Sequence, residues 1–396
     1  MEDQTMPGRR DSFLFGCAIF AFTVTYFSEG ISRAADKNRV LKQAQRQAAL
    51  GYRQLFFDDV MIEKAIGVKR VVHQAKKYKR NPIIRQGQTA WNEYRTQLYG
   101  TVIYVPEEKK FKMWYLSGAK LPLRAPITLD GRKRIPNFQL VGYAESQDGF
   151  EWKLPNLGIV NFNGSKRNNI CRIARTNVEG IAVIRDLHDP DPARRYKSIY
   201  WEHSATKPEP SPGISGMSVS FSADGKTWTN HPKNPVIPFG SDTGHQLVWD
   251  ESIKKYVAFG RFNAGGRKVA RAVSDDMARW SQARRVFDAD GVDPRGTQIY
   301  GMGISRYEGI YIGMPWMFDI TSTHRIDVQL SSSRDGIRWD RLHDRRPFIP
   351  NGPKGSWDAG IIFTASQPTQ LKDDRIFIFY SASSHDHNYA YFYCPN

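Results

Sequence analysis

Polar and apolar residues alternate in short runs along most of this 396-residue chain, as in Gly216-Met-Ser-Val-Ser-Phe221 and Arg325-Ile-Asp-Val-Gln-Leu330. A period of two turns every second side chain to the same face of a strand. The pattern predicts five successive strand-rich units. Their strands lie near residues 97–105, 111–116 and 140–145; then 180 onward, 196–201 and 217–221; then 245–249, 256–261 and 268–273. The fourth unit holds 297–305, 310–314 and 326–330, and the fifth 361–364, 376–380 and 389–393. No helix-length amphipathic pattern interrupts this rhythm. An alternating run, Leu55-Phe-Phe-Asp-Asp-Val-Met-Ile-Glu63, is expected to open the β region.

Four of the units end on the same phrase. It reads Ser146-Gln-Asp148-Gly149-Phe-Glu-Trp152, Ser222-Ala-Asp224-Gly225-Lys-Thr-Trp228, Ser274-Asp-Asp276-Met277-Ala-Arg-Trp280 and Ser333-Arg-Asp335-Gly336-Ile-Arg-Trp339. The Asp residues are 76, 52 and 59 positions apart. Recurrence every 40 to 60 residues or so, with turn chemistry between strands, is a mark of β-propellers. The fold class is therefore expected to be all-β, a five-bladed β-propeller over residues 55–396. Within the box, Asp-Gly makes a tight turn, Ser and Asp satisfy local backbone donors, and Trp packs between sheets. Met277 stands where the other copies have Gly, a position in which a type I turn could accept it. The fifth unit lacks a box, and closure by an N-terminal strand (55–62 or 82–85) is favoured over a truncated last blade.

The first 35 residues have another character. Arg9 and Arg10 precede an apolar stretch from Phe13 to Phe27, followed by Ser32-Arg33-Ala34-Ala35, the layout of an export signal. An uncleaved anchor is the alternative, although the stretch is short for a span. Residues 36–54 are polar and read as a linker or short helix. Export to the periplasm or the outside is expected, with no membrane contact beyond that signal. Cys17 falls inside it, and Cys171 and Cys394 form no CxxC or metal spacing.

The formal charge of +17 does not point to nucleic acid, because Lys and Arg are scattered and no binding motif accompanies them. It fits a solvated basic face or an anionic partner. Residues just before the first strand of each unit should face a central funnel. Those positions hold Glu93, Glu179, Asp242, Asp293 and Asp358. Glycoside cleavage needs one protonated carboxyl and one ionised partner, and crowding of acids can separate their pKa values. Asp242, Glu179, Glu93 and Asp358 are the candidate catalytic residues, each also readable as a turn cap or salt-bridge partner. Arg95, Arg261, Arg295 and Arg325 could bind a carboxylate or sulfate, or could simply neutralise those acids. Asp293, His245 and His385 join them as candidate substrate contacts, and Trp91, Trp316 and Trp357 are candidates for stacking on sugar rings. No metal or other cofactor is called for.

The chain resembles the five-bladed propeller glycosidases of the arabinanase, levansucrase and invertase superfamily, and more closely family-32-like and family-43-like exported bacterial proteins. The resemblance rests on Leu55-Phe-Phe-Asp-Asp59, Tyr143-Ala-Glu-Ser-Gln-Asp-Gly149, Arg195-Tyr-Lys197, Gln329-Leu-Ser-Ser-Ser-Arg-Asp-Gly336 and Gly355-Ser-Trp-Asp-Ala-Gly360. It spans roughly residues 55 to 393 and implies a glycoside hydrolase acting on a poly- or oligosaccharide. It further implies a base or nucleophile on blade 1, an orienting Asp on blade 2 and an acid Glu on blade 3. This chain offers Glu93 and Glu179 on blades 1 and 2 and Asp242 on blade 3. It lacks both the Trp-Met-Asn-Asp-Pro-Asn-Gly motif and the Glu-Cys motif of invertases. A non-catalytic carbohydrate-binding propeller is the alternative. The sialidase box differs, because here Gly follows Asp directly.

Overall fold

The computed structural model describes residues 38–388 except positions 39, 46, 90, 92–94, 119–126, 130–131, 135–138, 175–176, 204–215, 238–241, 264 and 372. The expected export signal and the strand near 389–393 lie outside the described residues. The chain divides into two compact units, residues 1–68 and 69–396. In the first, residues 40–45 and 47–49 are helical. The alternating run from Leu55 is not a strand there. The Val60 N–H bonds to Asp58 Oδ1 and the Ile62 N–H to the Asp59 carbonyl, so local bonds to two adjacent aspartates outcompete a ladder. Residues 82–85 are likewise not a strand. No described helix is long and apolar enough to cross a membrane.

The second unit is a succession of antiparallel sheets. The first holds Arg95–Val105, Lys110–Gly118, Leu140–Ser146 and Trp152–Lys153, with Ile170–Cys171 also on Leu140–Ser146. The second runs Asn177–Arg185, Tyr196–His203, Gly216–Ser222 and Thr229–Asn230. Gln246–Asp250, Lys255–Asn263, Arg267–Ser274 and Arg284–Phe287 make the third. The fourth starts with Thr297–Tyr307 and Ile310–Asp319, continues through Ile326–Val328 and Ser331–Ser333, and ends at Asp340–Arg341. A parallel bridge from Ile326 to Ile361 joins it to the last pair, Ile361–Thr364 and Tyr380–Ser383, so the fourth and fifth sequence units share one sheet.

Successive sheets meet along their first strands. Thr101 Oγ1 accepts the Val183 N–H at 2.9 Å, and Gly180 lies against Thr243 and His245. Gly244 abuts Gly301, and the Ile304 N–H bonds to the Ser366 carbonyl at 2.8 Å. Contact then returns to the first sheet through the Ser366 N–H on the Gly100 carbonyl at 2.7 Å.

The box is the joint between sheets. In every copy the Ser Oγ accepts the N–H of the fourth residue (Gly149, Gly225, Met277, Gly336), and Asp Oδ1 accepts the two N–H groups after it. The fourth residue is left-handed each time, with φ of 82°, 79°, 67° and 70°. Each turn seats on the preceding sheet: Gly225 against Trp114, whose Nε1–H bonds to its carbonyl, and Gly336 against Phe259. Gly149 seats on Phe377 of the last hairpin, beside the Phe111–Phe377 stack.

Met277 takes the left-handed conformation of the glycines whose place it fills. It holds that geometry because its side chain is fully buried with Ile199, Trp201 and Met217 of the second sheet. Left-handed φ costs an L-residue about 1–2 kcal/mol, while truncating a buried Met costs about 2–5 kcal/mol. Met277→Gly is accordingly expected to destabilise by about 1–3 kcal/mol, read from urea unfolding midpoints.

Candidate functional site

Three of the first strands are irregular at the same level. Register slips between Gln97 and Thr101, Glu179 and Ile181, and Ile299 and Gly301. Such bulges re-aim side chains, and glycines inside strand patterns are their usual trace. Here they bring Tyr99 and Tyr300 among the first strands. Tyr99 stacks on Trp316 (5.8 Å, 12°) and meets Phe363 edge-on, and Tyr300 lies 5.3 Å from Phe363. These rings form an aromatic floor. Gly180 and Gly301 let the backbones close around it, since a Cβ at Gly180 would meet His245 Nδ1 at 2.9 Å and one at Gly301 would meet Trp316 at 2.5 Å.

Gly180 also lies against Thr243 and Gly244, so the segments bearing Glu179 and Asp242 run side by side. Glu179 is the third residue of its strand, half-buried, and accepts a 3.0 Å bond from Gln139 Nε2. Asp242 lies two residues before Gly244, with its side chain 42% exposed, and is ion-paired to Arg261 Nη2. Arg261 is buried, at 3% exposure, with its guanidinium 4.9 Å from the Tyr300 centroid. His245, fully buried, hydrogen-bonds the Gly180 carbonyl through Nδ1 at 3.0 Å. Burial pushes its pKa down to about 4, only partly offset by that bond and by the Glu179 charge, so it is neutral at physiological pH.

The other candidates are placed elsewhere. Asp293 caps a turn, accepting from the Asp290 N–H, and is held by both terminal nitrogens of Arg341 at 3.1 and 3.0 Å and by Arg345 at 3.2 Å. Asp358 is buried on Lys77 Nζ at 2.6 Å and accepts from Ser356 Oγ at 2.8 Å. Burial works against ionisation of both carboxyls, but these partners outweigh it and hold each below the usual carboxylate range. Trp91 and Trp316 are each 1% exposed and bonded through Nε1 to Asn169 and Thr364, so neither offers a face to a sugar. That corrects their expected stacking role; their size fills the core instead. Arg295 and Arg325 are exposed on turns. Glu93 lies outside the described residues, and only the backbone of Arg95 is described.

Trp357 and His385 line a separate cavity of about 1380 Å³ between residues 73–86 and 375–385. Trp357 stacks on Tyr380 there (5.5 Å, 26°), with Lys76, Lys79 and Arg375 among the lining residues. Among the described residues, no three His, Cys, Asp or Glu side chains gather as a metal site.

Several groups escaped the sequence reading. Arg267, Tyr300 and His387 cluster beside Arg261: the Arg267 guanidinium is 5.2 Å from the Tyr300 centroid, and His387 Nε2 is 3.1 Å from Tyr300 Oη. The Tyr-Gly pairs 99–100 and 300–301 were their only sequence trace. Asp327 is another. Burial pushes its carboxyl up to about 6, which the Arg341 charge only partly offsets. A raised folded pKa means stability that is full below the unfolded value of about 3.9 and is lost as pH rises through about 6. Asp327→Asn should therefore stabilise by about 1–3 kcal/mol at neutral pH. It should do almost nothing below pH 4, which thermal melts across pH would check.

No family description matches the sequence, and no curated protein matches it. Solved structures do. A candidate glycoside hydrolase from Parabacteroides distasonis aligns at TM-score 0.55 and 14% identity over 80% of this chain and 95% of its own. A fructofuranosidase from Schwanniomyces occidentalis, complexed with fructosylnystose, aligns at 0.50 and 14% over 77% and 57%. The chain shares the fold of these solved structures. An N-acetylgalactosamine deacetylase from F. plautii, in complex with blood group B trisaccharide, also aligns, at 0.50 and 14% over 78% and 86%. At such identities the glycoside hydrolase likeness carries the architecture, almost wholly β with several antiparallel sheets, and no residue roles.

Proposed function

We propose that this protein is an exported, five-bladed propeller that hydrolyses a glycosidic bond of a poly- or oligosaccharide above its aromatic floor. The observation that carries the reading is the close approach of Gly180 to Thr243, Gly244 and His245, which lays the segments that bear Glu179 and Asp242 side by side around a neutral, buried His245. A carboxylate ion-paired to arginine is suited to accept a proton or attack an anomeric carbon. Asp242 takes that base or nucleophile role, and Glu179 takes the acid role. Glu93 is a further member of the set, and the ion pair of Asp358 with Lys77 suits it to support rather than to chemistry. The fold shared with glycoside hydrolases supports a carbohydrate partner. Export rests on Arg9-Arg10 and the apolar stretch after them.

One observation favours a second reading, a carbohydrate-binding propeller without catalysis. The cavity beside Trp357 and Tyr380 pairs an aromatic platform with a basic rim, and the Asp242 carboxylate is already engaged by Arg261. A panel of neutral, uronic and sulfated polysaccharides separates the two. Release of reducing ends that disappears in Asp242→Asn supports hydrolysis. Retained binding to one glycan without release, lost on Trp357→Ala, supports the second reading.

A further inference from the structure

We infer that the cluster of Arg261, Arg267, His324 and His387 around Tyr300 is a subsite for an oxyanion carried by the sugar, a carboxylate or a sulfate ester. This rests on the reading of the neighbouring Asp242 and Glu179 as the hydrolytic site, and it names the substrate class: an acidic glycan.

The argument starts from Arg261. Its Nη2 meets Asp242, but its Nε and Nη1 are buried without a hydrogen-bond partner among the described residues. Buried guanidinium N–H groups without acceptors are costly and rare, and such a group calls for an explanation, a missing ion or ligand among them. His324 Nδ1, also buried, lacks a hydrogen-bond partner as well. Arg267 adds a second guanidinium, facing Tyr300 and Phe318 at 5.2 and 5.4 Å and oriented by a 2.8 Å bond to Gln298 Oε1. Its strand starts just after Gly265 and Gly266, where an added Cβ would meet open space or only the Gln298 side chain. His387 enters the cluster from just beyond the last strand, its ring tilted at 40° to Phe318 with centroids 4.7 Å apart, and reaches Tyr300 Oη. Burial, then the charges of Arg267, Arg261 and His324, keep its pKa down at about 4, a sign of how cationic the surroundings are. The guanidinium groups of Arg261 and Arg267 stand here, with the Asp242 carboxylate on Arg261. A planar fork matches carboxylate or sulfate oxygens two at a time. Arg261 touches both the Asp242 carboxylate and the proposed anion position, which would hold the acidic sugar next to the scissile bond.

The test is calorimetric titration of the full chain with three probes: glucuronate, glucose 6-sulfate and glucose. Glucuronate or glucose 6-sulfate should bind at least tenfold tighter than glucose, and which of the two wins tells carboxylate from sulfate. Arg267→Gln should erase that preference, whereas Arg295→Gln, on an exposed turn outside the cluster, should keep it. Arg261→Lys covers the case in which loss of a buried guanidinium disturbs folding; it should fold and weaken anion binding several-fold. Equal affinity for all three probes, or an unchanged preference in Arg267→Gln, overturns the subsite. Those outcomes are separable from the hydrolytic reading. Anion preference without any hydrolysis of uronic or sulfated polymers leaves the subsite standing and sinks the enzyme. Hydrolysis confined to neutral glycans does the reverse.

Discussion

Lys197→Met should cost about 3–5 kcal/mol of unfolding free energy. Lys197 is wholly buried, with Nζ 2.8 Å from Asp186 Oδ2, 2.8 Å from Asp189 Oδ2 and 2.9 Å from the Arg194 carbonyl. Removing the ammonium leaves two carboxylates in the interior with only part of their compensation. Asp186 would keep the Tyr256 hydroxyl at 2.5 Å and the His188 N–H at 2.8 Å, and Asp189 would keep Arg194 at 3.1 Å. Methionine fills most of the volume, so the loss reports charge and hydrogen bonding rather than a cavity. The pH dependence follows. Burial favours the neutral form of both acids, but the bonds to Lys197 and the backbone outweigh it and depress their folded pKa values. A depressed folded pKa contributes stability that is present above the unfolded value, about 3.9, and is lost as pH falls through the folded one. In wild type the ion cluster should therefore fail only in acid, below about pH 4. The mutant should start from a lower plateau and show a shallower acid loss, which chemical denaturation between pH 3 and 8 would resolve.

The second large effect is on turnover. Asp242→Asn and Glu179→Gln should each lower kcat on the cleaved polysaccharide by about 10²–10⁴-fold, the usual contribution of a positioned acid or base. The two differ in what else they change. Asp242→Asn removes the ion-pair partner of a buried arginine, so a modest loss of stability should accompany the loss of rate. Glu179→Gln can still accept a bond from Gln139 and should melt like wild type. If both act as one unit, the double mutant should fall little further than either single one. Additive losses would mean that the two carboxylates serve separate steps. Wild-type rates in Glu179→Gln would remove it from the mechanism.

Most of the strand plan was legible because turn chemistry and period-two alternation are local signals. The box could be read as Ser, Asp and Trp around one turn, and every copy is built that way. What holds Met277 in the glycine position is tertiary: nothing near it in the sequence tells that the second sheet holds a slot for its side chain. Asp58 and Asp59 misled, supplying turn bonds inside an alternating run. At the site, Glu179 and Asp242 were legible by position relative to their strands. Arg267, Tyr300 and His387 were not. Arg267 and Tyr300 come from the third and fourth sheets and His387 from beyond the last strand, so no local pattern links them. Asp293 and Asp358 occupied equivalent sequence positions, yet Arg341, Arg345 and Lys77 tie them down from distant parts of the chain.

The backward seating of the boxes has a consequence for how the chain comes off the ribosome. Each of the later turns finds its dock already synthesised: Trp114 waits for Gly225, the second sheet for Met277, and Phe259 for Gly336. Only the first turn must wait, because Gly149 docks on Phe377, near the far end of the chain. Until that phenylalanine emerges, Phe111 and Phe150 have no partner there and remain open to water or to a chaperone. Nascent chains stalled before Phe377 should bind holdases through the first sheet, and those stalled well beyond it should not.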